Sequence, residues 1–363
     1  MAMAASGLGI MGLEDFTAAL EWQARHAEEN GAPATARVIR ALAGVRASDT
    51  ATGRRIAGWQ GLTLKDAMPL RIAGGFHHLL LTGADERLAE VYSGGMTDQA
   101  AVDALVLDLA HRFDARLLPW LDGPPQTNEA GRSASIMAGL LWLAQRVASP
   151  RLDLFELGAS AGVNTMLDRY FFRLGGTEVG PEGSPMRIVP EWRGQPPPAP
   201  PAGFAIASVK GCDIAPIDLA DPEAALRLKA YVWPDAGERM ARIDAAIALA
   251  ARQPPDLVAA DAGDFAAAML ARLREPGIAR VMFHSIMWQY MPAATQARIT
   301  AAFEAEGAAA TPDTPLGWIA LETDPATFRH ELRVRLWDGD SHRGEEHLLS
   351  HAHPHGAWVE WLL

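Results

Sequence analysis

The sequence is nearly without cysteine: Cys212 is the single one in 363 residues. An intramolecular disulfide and a Cys-rich zinc site are both excluded, and the chain suits a reducing compartment. Long apolar runs are missing too. The most apolar segment, "SIMAGLLWLAQ", is too short to cross a bilayer. The opening "MAMAASGLGIMGLEDF" has no basic region ahead of its short apolar patch, which argues against a signal peptide. No Lys/Arg run occurs, and 44 acidic against 32 basic residues give a net charge of -12. An acidic surface repels nucleic-acid phosphates and anionic lipid. These absences predict a cytoplasmic protein with a small-molecule partner, no nucleic acid and no membrane. They leave the oligomeric state open.

What is present is an ordinary globular balance, 49% hydrophobic and 21% charged, in a chain long enough to bury a large core. The first third reads as helix. "TDQAAVDALVLDLAHRF" places Val102, Leu105, Leu109 and Phe113 on one face, and "EDFTAALEWQARHAEENG" does so with Phe16 and Leu20 before stopping at Asn30-Gly31. Gly74-Gly75 and Gly94-Gly95 read as turns, "DGPPQTNE" as a break, and Thr127 to Val147 as a helix. From Leu152 the pattern changes. "LDLFEL", "FAIASVKGCD", "PPDLVAAD", "ARVMFHS" and "LGWIALE" are strand candidates, with helix patterns at "AGERMARIDAAIALAARQ", "DFAAAMLARLRE" and "PAATQARITAAFEAEG". Such alternation predicts an α/β fold: a mostly parallel, Rossmann-like sheet. "ELRVRLWDG" and "GAWVEWLL" alternate as antiparallel strands near the end. The expected domains are a helical N-terminal cap over residues 1–125 and a sheet domain over 126–363.

"DLFELGASAGVN", Asp153 to Asn164, admits two readings. As G-x-S-x-G it is the nucleophile elbow of a serine hydrolase using Ser160. As E-x-G-x-x-x-G it is the first loop of an S-adenosylmethionine methyltransferase. Context favours the second. The loop comes after the first clear strand, no oxyanion motif precedes it, and G-x-G-x-x-G for NAD is absent. Glu156 then meets the ammonium of the methionine moiety, and Gly158 and Gly162 let backbone approach the cofactor. Ser160 and Asn164 complete the loop's cofactor candidates. Asp213, at a strand end, suits the ribose hydroxyls, with Asp235 as runner-up. Asp261 suits the adenine amino group, while Asp264 reads as a helix cap. A glycine-rich turn that binds nothing is the structural alternative.

Ligands of such sheets sit beyond the carboxyl ends of the strands. That places "HSIMWQY" at the acceptor, with His284 or Tyr290 as the base and Trp288 as a wall. Glu129 and Arg132 of "QTNEAGRS" join the acceptor side, as do His353 and His355 of "HAHPHG". These stretches predict one cavity shared by Glu129, Arg132, His284 and Tyr290, with His353 or His355 nearby. Pro354 and an incomplete ligand set argue against a metal among the late histidines.

Together "QTNEAGRS", "FELGASAGVNTMLDRY", "MRIVPEWRG", "FHSIMWQYMP" and "AHPHGAWVEWL" resemble a bacterial family of unknown function, over nearly the whole chain. That family is similar to the class I S-adenosylmethionine-dependent methyltransferase superfamily. The resemblance implies the fold and S-adenosylmethionine as cofactor, without naming an acceptor. A protein that binds S-adenosylmethionine or a nucleotide without catalysis stays open beside it.

Overall fold

A computed structural model describes residues 16–61, 66–123 and 125–363. The opening stretch read as lacking a signal peptide lies, through residue 15, outside them, as does Pro124 of the "DGPPQTNE" break. The chain divides into two compact units, Met1–Thr127 with Asp221–Asp244, and Asn128–Ala220 with Ala245–Leu363.

The first unit is helical: α1 (Phe16–Glu29), α2 (Pro33–Arg46), α3 (Ala51–Ala57), α4 (Met68–Leu81), α5 (Arg87–Tyr92), α6 (Gln99–Arg112) and α7 (Asp114–Leu117). Helix α6 buries Val102, Leu105 and Leu109 as its spacing predicts, and Asp98 caps it by accepting from the Ala101 N–H at 2.9 Å. Gly74 and Gly75 are a correction: they lie inside α4, not in a turn. A Cβ at Gly74 would stand 2.9 Å from the Tyr231 ring, and one at Gly75 3.0 Å from Leu117. Both glycines serve close packing, which periodicity cannot distinguish from a turn. Asp235 is also settled here. It accepts from the Ala34 and Thr35 N–H groups at 2.7 and 3.2 Å and from the Thr35 hydroxyl at 2.6 Å. It caps α2 within this unit.

The second unit opens with α8 (Ser133–Ala144), all twelve residues of which are buried. This corrects the expected Thr127 start: residues 125–129 are non-helical, and a 3-10 turn, Ala130–Arg132, precedes the helix. The strands are β1 (Arg151–Leu157), β2 (Phe171–Leu174), β3 (Thr177–Val179), β4 (Arg187–Ile188), β5 (Glu191–Arg193), β6 (Ala205–Asp213), β7 (Leu257–Ala259), β8 (Ala279–Ser285), β9 (Leu316–Thr323), β10 (His330–Trp337), β11 (Arg343–Ala352) and β12 (Trp358–Trp361). Between them run α9 (Pro222–Ala230, in the first unit), α10 (Gly237–Arg252), α11 (Ala262–Leu270) and α12 (Ala293–Ala308). Nine strands form one mixed, mostly parallel sheet in the order β5-β12-β11-β10-β9-β8-β1-β6-β7, and β3-β2-β4 form a second. The antiparallel pairs are β9/β10, β10/β11 and β11/β12.

Register sorts the large sheet into two faces, because successive side chains alternate. Leu154 and Glu156 share a face with Val281, Phe283 and Ser285 of β8 and with Gly317, Ile319 and Leu321 of β9. Helix α8 covers that face, so close that a Cβ at Gly139 would lie 3.3 Å from Ile319. Phe155, Met282, His284, Trp318 and Glu322 point the other way, toward α11 and α12. There Phe155 packs edge-on against Phe265 at 6.1 Å and Phe303 against Trp318 at 5.1 Å. No helix among the described residues is long and apolar enough to cross a membrane.

Candidate functional site

After β1 the chain builds β6 and β7 on one side, then returns to add β8 on the other. Strand direction of travel thus reverses beside β1, and the crevice outside the carboxyl ends at such a reversal is where parallel sheets hold ligands. The "GASAG" loop lies there. Gly158, Ser160 and Gly162 have φ of 66, 53 and 71°. The left-handed region suits glycine and strains serine. Five bonds fix the loop. The Ala159 N–H donates to Cys212 O at 2.8 Å and the Gly162 N–H to Ala159 O at 2.7 Å. The Ser160 N–H donates to Asp213 Oδ2 and the Val163 N–H to Asn128 Oδ1, at 2.9 and 2.7 Å. The Ile217 N–H reaches Ser160 O at 3.1 Å.

Two expectations about this loop change. It runs into a six-residue 3-10 turn, Asn164–Arg169, so no long helix aims its N-terminus at a ligand. And the glycines are hemmed by protein: a Cβ at Gly158 would meet the Met287 side chain at 2.8 Å, and one at Gly162 would meet Pro255 at 2.8 Å.

At the end of β1, Glu156 is 1% exposed. Burial drives its carboxyl well above the usual range, with Arg132 and Asn164 pulling it back and Asp213 pushing it further. Among the described residues its Oε2 has no hydrogen-bond partner, nor have Ser160 Oγ or either amide atom of Asn164. The Asn164 amide is near enough to influence Glu156, yet no bond of good geometry forms between them. Tyr170, buried beside them, has its phenol raised by burial and by Glu156, and donates to Val163 O.

Arg132 ties three stretches together. Its Nε donates to Pro354 O at 2.9 Å and its Nη1 to Ser285 O at 3.4 Å. The "QTNEAGRS" start, the end of β8 and the "HAHPHG" turn therefore meet, as their chemistry suggested. Glu129 is buried and accepts from the Gly131 N–H at 3.2 Å, capping the 3-10 turn. The Gly131 backbone lies against His355 and Gly356. His353 and His355 stand 5.6 Å apart, ring to ring, with the His355 N–H donating to His353 Nδ1 at 3.2 Å.

His284 and Tyr290 do not join that group. His284 is on the opposite face of the sheet from Glu156. Its Nδ1 pairs with Glu322 Oε1 at 2.7 Å, and its Nε2 accepts from the Trp318 indole at 2.9 Å. Trp288 stacks on its ring at 4.9 Å and 19°. With both nitrogens engaged, no lone pair is left to take a proton from an acceptor. The same Glu322 oxygen accepts from the Met287 and Trp288 N–H groups at 3.1 and 3.2 Å, so this cluster shapes the loop after β8. Tyr290 is 77% exposed. The single cavity expected for Glu129, Arg132, His284 and Tyr290 is not formed, because the sheet separates Arg132 and Glu156 from His284.

The structure supplies a histidine that the sequence did not single out. His330 opens β10 on the Glu156 face, with Nδ1 2.9 Å from Thr323 Oγ1. Burial pushes it down to about 4, and Arg132 and His353 oppose its protonation further. Nothing local in "RHELRVRLW" marks it; only strand pairing brings it to Arg132.

The acids also resolve. Asp213 accepts from the Ser160 and Ala215 N–H groups, both at 2.9 Å, and so braces the glycine loop. Asp261, expected at the adenine, caps α11 by accepting from the Gly263 and Asp264 N–H groups at 2.9 and 3.1 Å, and pairs with Arg298 at 2.7 Å. Asp264, read as the cap, pairs with Arg298 at 2.9 Å instead. Ser160 Oγ has no base beside it among the described residues, so the hydrolase alternative lacks its nucleophile–base contact. Among the described residues no group of three His, Cys, Asp or Glu side chains is arranged to hold a metal ion.

Neither the curated proteins nor the solved structures contain a match to this chain. One family model does match, DUF2332, an uncharacterized protein conserved in bacteria, over residues 17–361. The chain belongs to that family.

Proposed function

We propose that the chain binds S-adenosylmethionine at the carboxyl end of its parallel strands and serves methyl transfer to a small or medium acceptor. The observation that carries this reading is the buried carboxyl of Glu156 at the end of β1, beside unpartnered Asn164 and Ser160 atoms. Buried polar atoms are nearly always paired, so a group of unpaired ones beside the strand reversal suggests a ligand's place. Strand order adds support. Numbered among themselves in chain order, the run β7-β6-β1-β8-β9 reads third, second, first, fourth, fifth, which matches the strand order of a doubly wound Rossmann-like sheet.

The residues fit the amino-acid end of the cofactor better than its nucleoside end. Glu156 would hold the ammonium and Arg132 the carboxylate, one charge each. Burial favours the protonated form of Glu156, and an arriving ammonium would favour the ionised form. Asp213 keeps a lone pair on each oxygen for ribose hydroxyls after its two backbone bonds. Asp261 caps its helix and pairs with Arg298, all through Oδ1. The bound sulfonium would supply an activated methyl group. The protein's share is to orient it and keep water out.

Thermal-shift measurements with S-adenosylmethionine, S-adenosylhomocysteine and NAD, alongside a fluorophosphonate probe, test the reading. Stabilisation by the first two alone, with Ser160 unlabelled, is expected. No stabilisation of the folded protein at millimolar ligand, or specific labelling of Ser160, would overturn it.

A further inference from the structure

A second concentration of charge lies at the other end of the sheet. A cleft of about 270 Å³ opens at the amino ends of β1, β6, β8 and β9, lined by Arg151, Arg272, Arg274 and Arg280. Five residue steps along β1 separate Arg151 from Glu156, roughly 17 Å at strand rise, so the two places cannot share one small ligand. Four arginines crowd one cleft of a chain whose net charge is -12.

The floor is a buried pair. Arg280 and Asp153 are each 8% exposed, and Arg280 Nε lies 3.7 Å from Asp153 Oδ2. Arg280 also donates to Leu270 O, Arg272 O and Leu273 O at 3.2, 3.1 and 3.0 Å, closing the carboxyl end of α11. Asp153 is quenched further by the Ser208 hydroxyl and by Arg272 Nη1 at 3.3 Å. Neither floor residue is left with an uncompensated charge.

The rim is different. The Arg151 side chain is exposed and makes no hydrogen bond or ion pair among the described residues. Arg272 engages Asp153 through Nη1 alone. Arg274 engages Glu306 through Nη2 at 2.6 Å, while its Nη1 is buried without a partner. Each guanidinium has five N–H donors, so most of those on the rim are uncommitted. Burial lowers the Arg280 guanidinium from its usual value, and Arg272 and Arg274 lower it further, the mark of like charges held close. Of the three lining carboxylates, Asp153 and Glu306 are already paired and Glu275 is at the exposed rim. The cleft therefore presents a positive surplus and planar donors, the arrangement that receives a tetrahedral oxyanion.

We infer that this cleft binds a small oxyanion of the phosphate class, held by Arg151, Arg272 and Arg274 over the Arg280–Asp153 floor. Its volume admits a phosphate with a small organic substituent, so free phosphate and a phosphomonoester are both sources of the same chemistry. The site is independent of the reading at Glu156.

Calorimetric titration of the full chain with inorganic phosphate, at ionic strength matched with sodium chloride, tests it. Saturable binding is expected, weakened by about tenfold or more in R151A and in R272A, each of which removes one charged contact. Arg151 is at the exposed rim with an unpaired side chain, so the unliganded R151A melting temperature should stay within about 2 °C of wild type, whereas R272A also removes a partner of buried Asp153 and should melt lower. Glycerol 3-phosphate in a parallel titration identifies the source: tighter binding points to an ester, equal or weaker binding to the free ion. Absence of saturable heat at about 20 mM phosphate, a concentration that would reveal even a millimolar site, overturns the inference. So does unchanged affinity in both variants.

Discussion

At the carboxyl end of the large sheet, two polar side chains end neighbouring strands on opposite faces. His284, on the α11 and α12 face, has a partner for each ring nitrogen and a tryptophan stacked on it. Glu156, on the α8 face, is as deeply buried and has an unpartnered oxygen beside unpartnered Asn164 and Ser160 atoms. Residue type would have ranked them the other way, since histidine is the usual acid–base group. The difference teaches that hydrogen-bond saturation separates structure from site better than residue type does. A side chain whose own polar atoms are all engaged, as both His284 nitrogens are, holds the fold, although Glu322 Oε2 beside it is itself buried without a partner among the described residues. An unsaturated buried side chain costs stability and persists where a ligand completes it.

That contrast can be broken or sharpened at five residues. Removing His284 should have the largest effect. His284→Ala leaves the Trp318 N–H without its partner and the Glu322 carboxylate with only its two backbone donors, and is expected to cost about 3 kcal/mol in chemical denaturation. Glu156→Gln should do the reverse: stability at neutral pH equal to wild type or higher, and affinity for S-adenosylhomocysteine lower by about tenfold or more. Equal losses of stability in the two variants would erase the distinction.

The pH dependence should differ in sign between two groups on the Glu156 face. Glu156 has a raised folded pKa, so its stabilising contribution is full below the ordinary carboxyl value of 4.5 and is lost as pH rises through the folded value. Glu156→Gln should therefore gain on wild type as pH rises. His330 has a depressed folded pKa, about 4 against 6.5, so its contribution is present above 6.5 and is lost as pH falls toward 4. His330→Asn should gain on wild type as pH falls through that window. Denaturation curves at several pH values between about 4 and 8 read both. Parallel curves for wild type and variant would contradict the assignments.

The smallest effect separates two neighbouring acids. Asp261→Ala removes the α11 cap and should cost about 1 kcal/mol, whereas Asp264→Ala breaks an exposed ion pair and should cost under about 0.5 kcal/mol. Thermal denaturation of the two variants gives the ranking.

Much of the fold was legible because buried parallel strands write themselves as short apolar runs. "ARVMFHS" is β8 from end to end, and "LDLFEL" is β1 less its first residue. Strand β11 escaped, since "RGEEHLLSHA" mixes charge with a broken alternation and pairs on both edges only through tertiary structure. The strands of the small sheet have two to four residues, too few for any period to show. The convergence of Arg132 with the β8 end and the "HAHPHG" turn was foreseeable from residue chemistry. Which face each side chain takes was not, because a single residue of register reverses it. That is why His284 read as a base and His330 went unnoticed.

The most direct test of the central claim is calorimetry of S-adenosylhomocysteine binding to wild type and Glu156→Gln, in two neutral buffers of different ionisation enthalpy. Burial that favours the protonated carboxyl, set against an ammonium that favours the ionised one, predicts saturable binding to wild type with proton release and, in the variant, binding weaker by about tenfold or more without that release. Absence of binding to folded wild type, or binding of equal strength in the variant with no proton released by either, would contradict it.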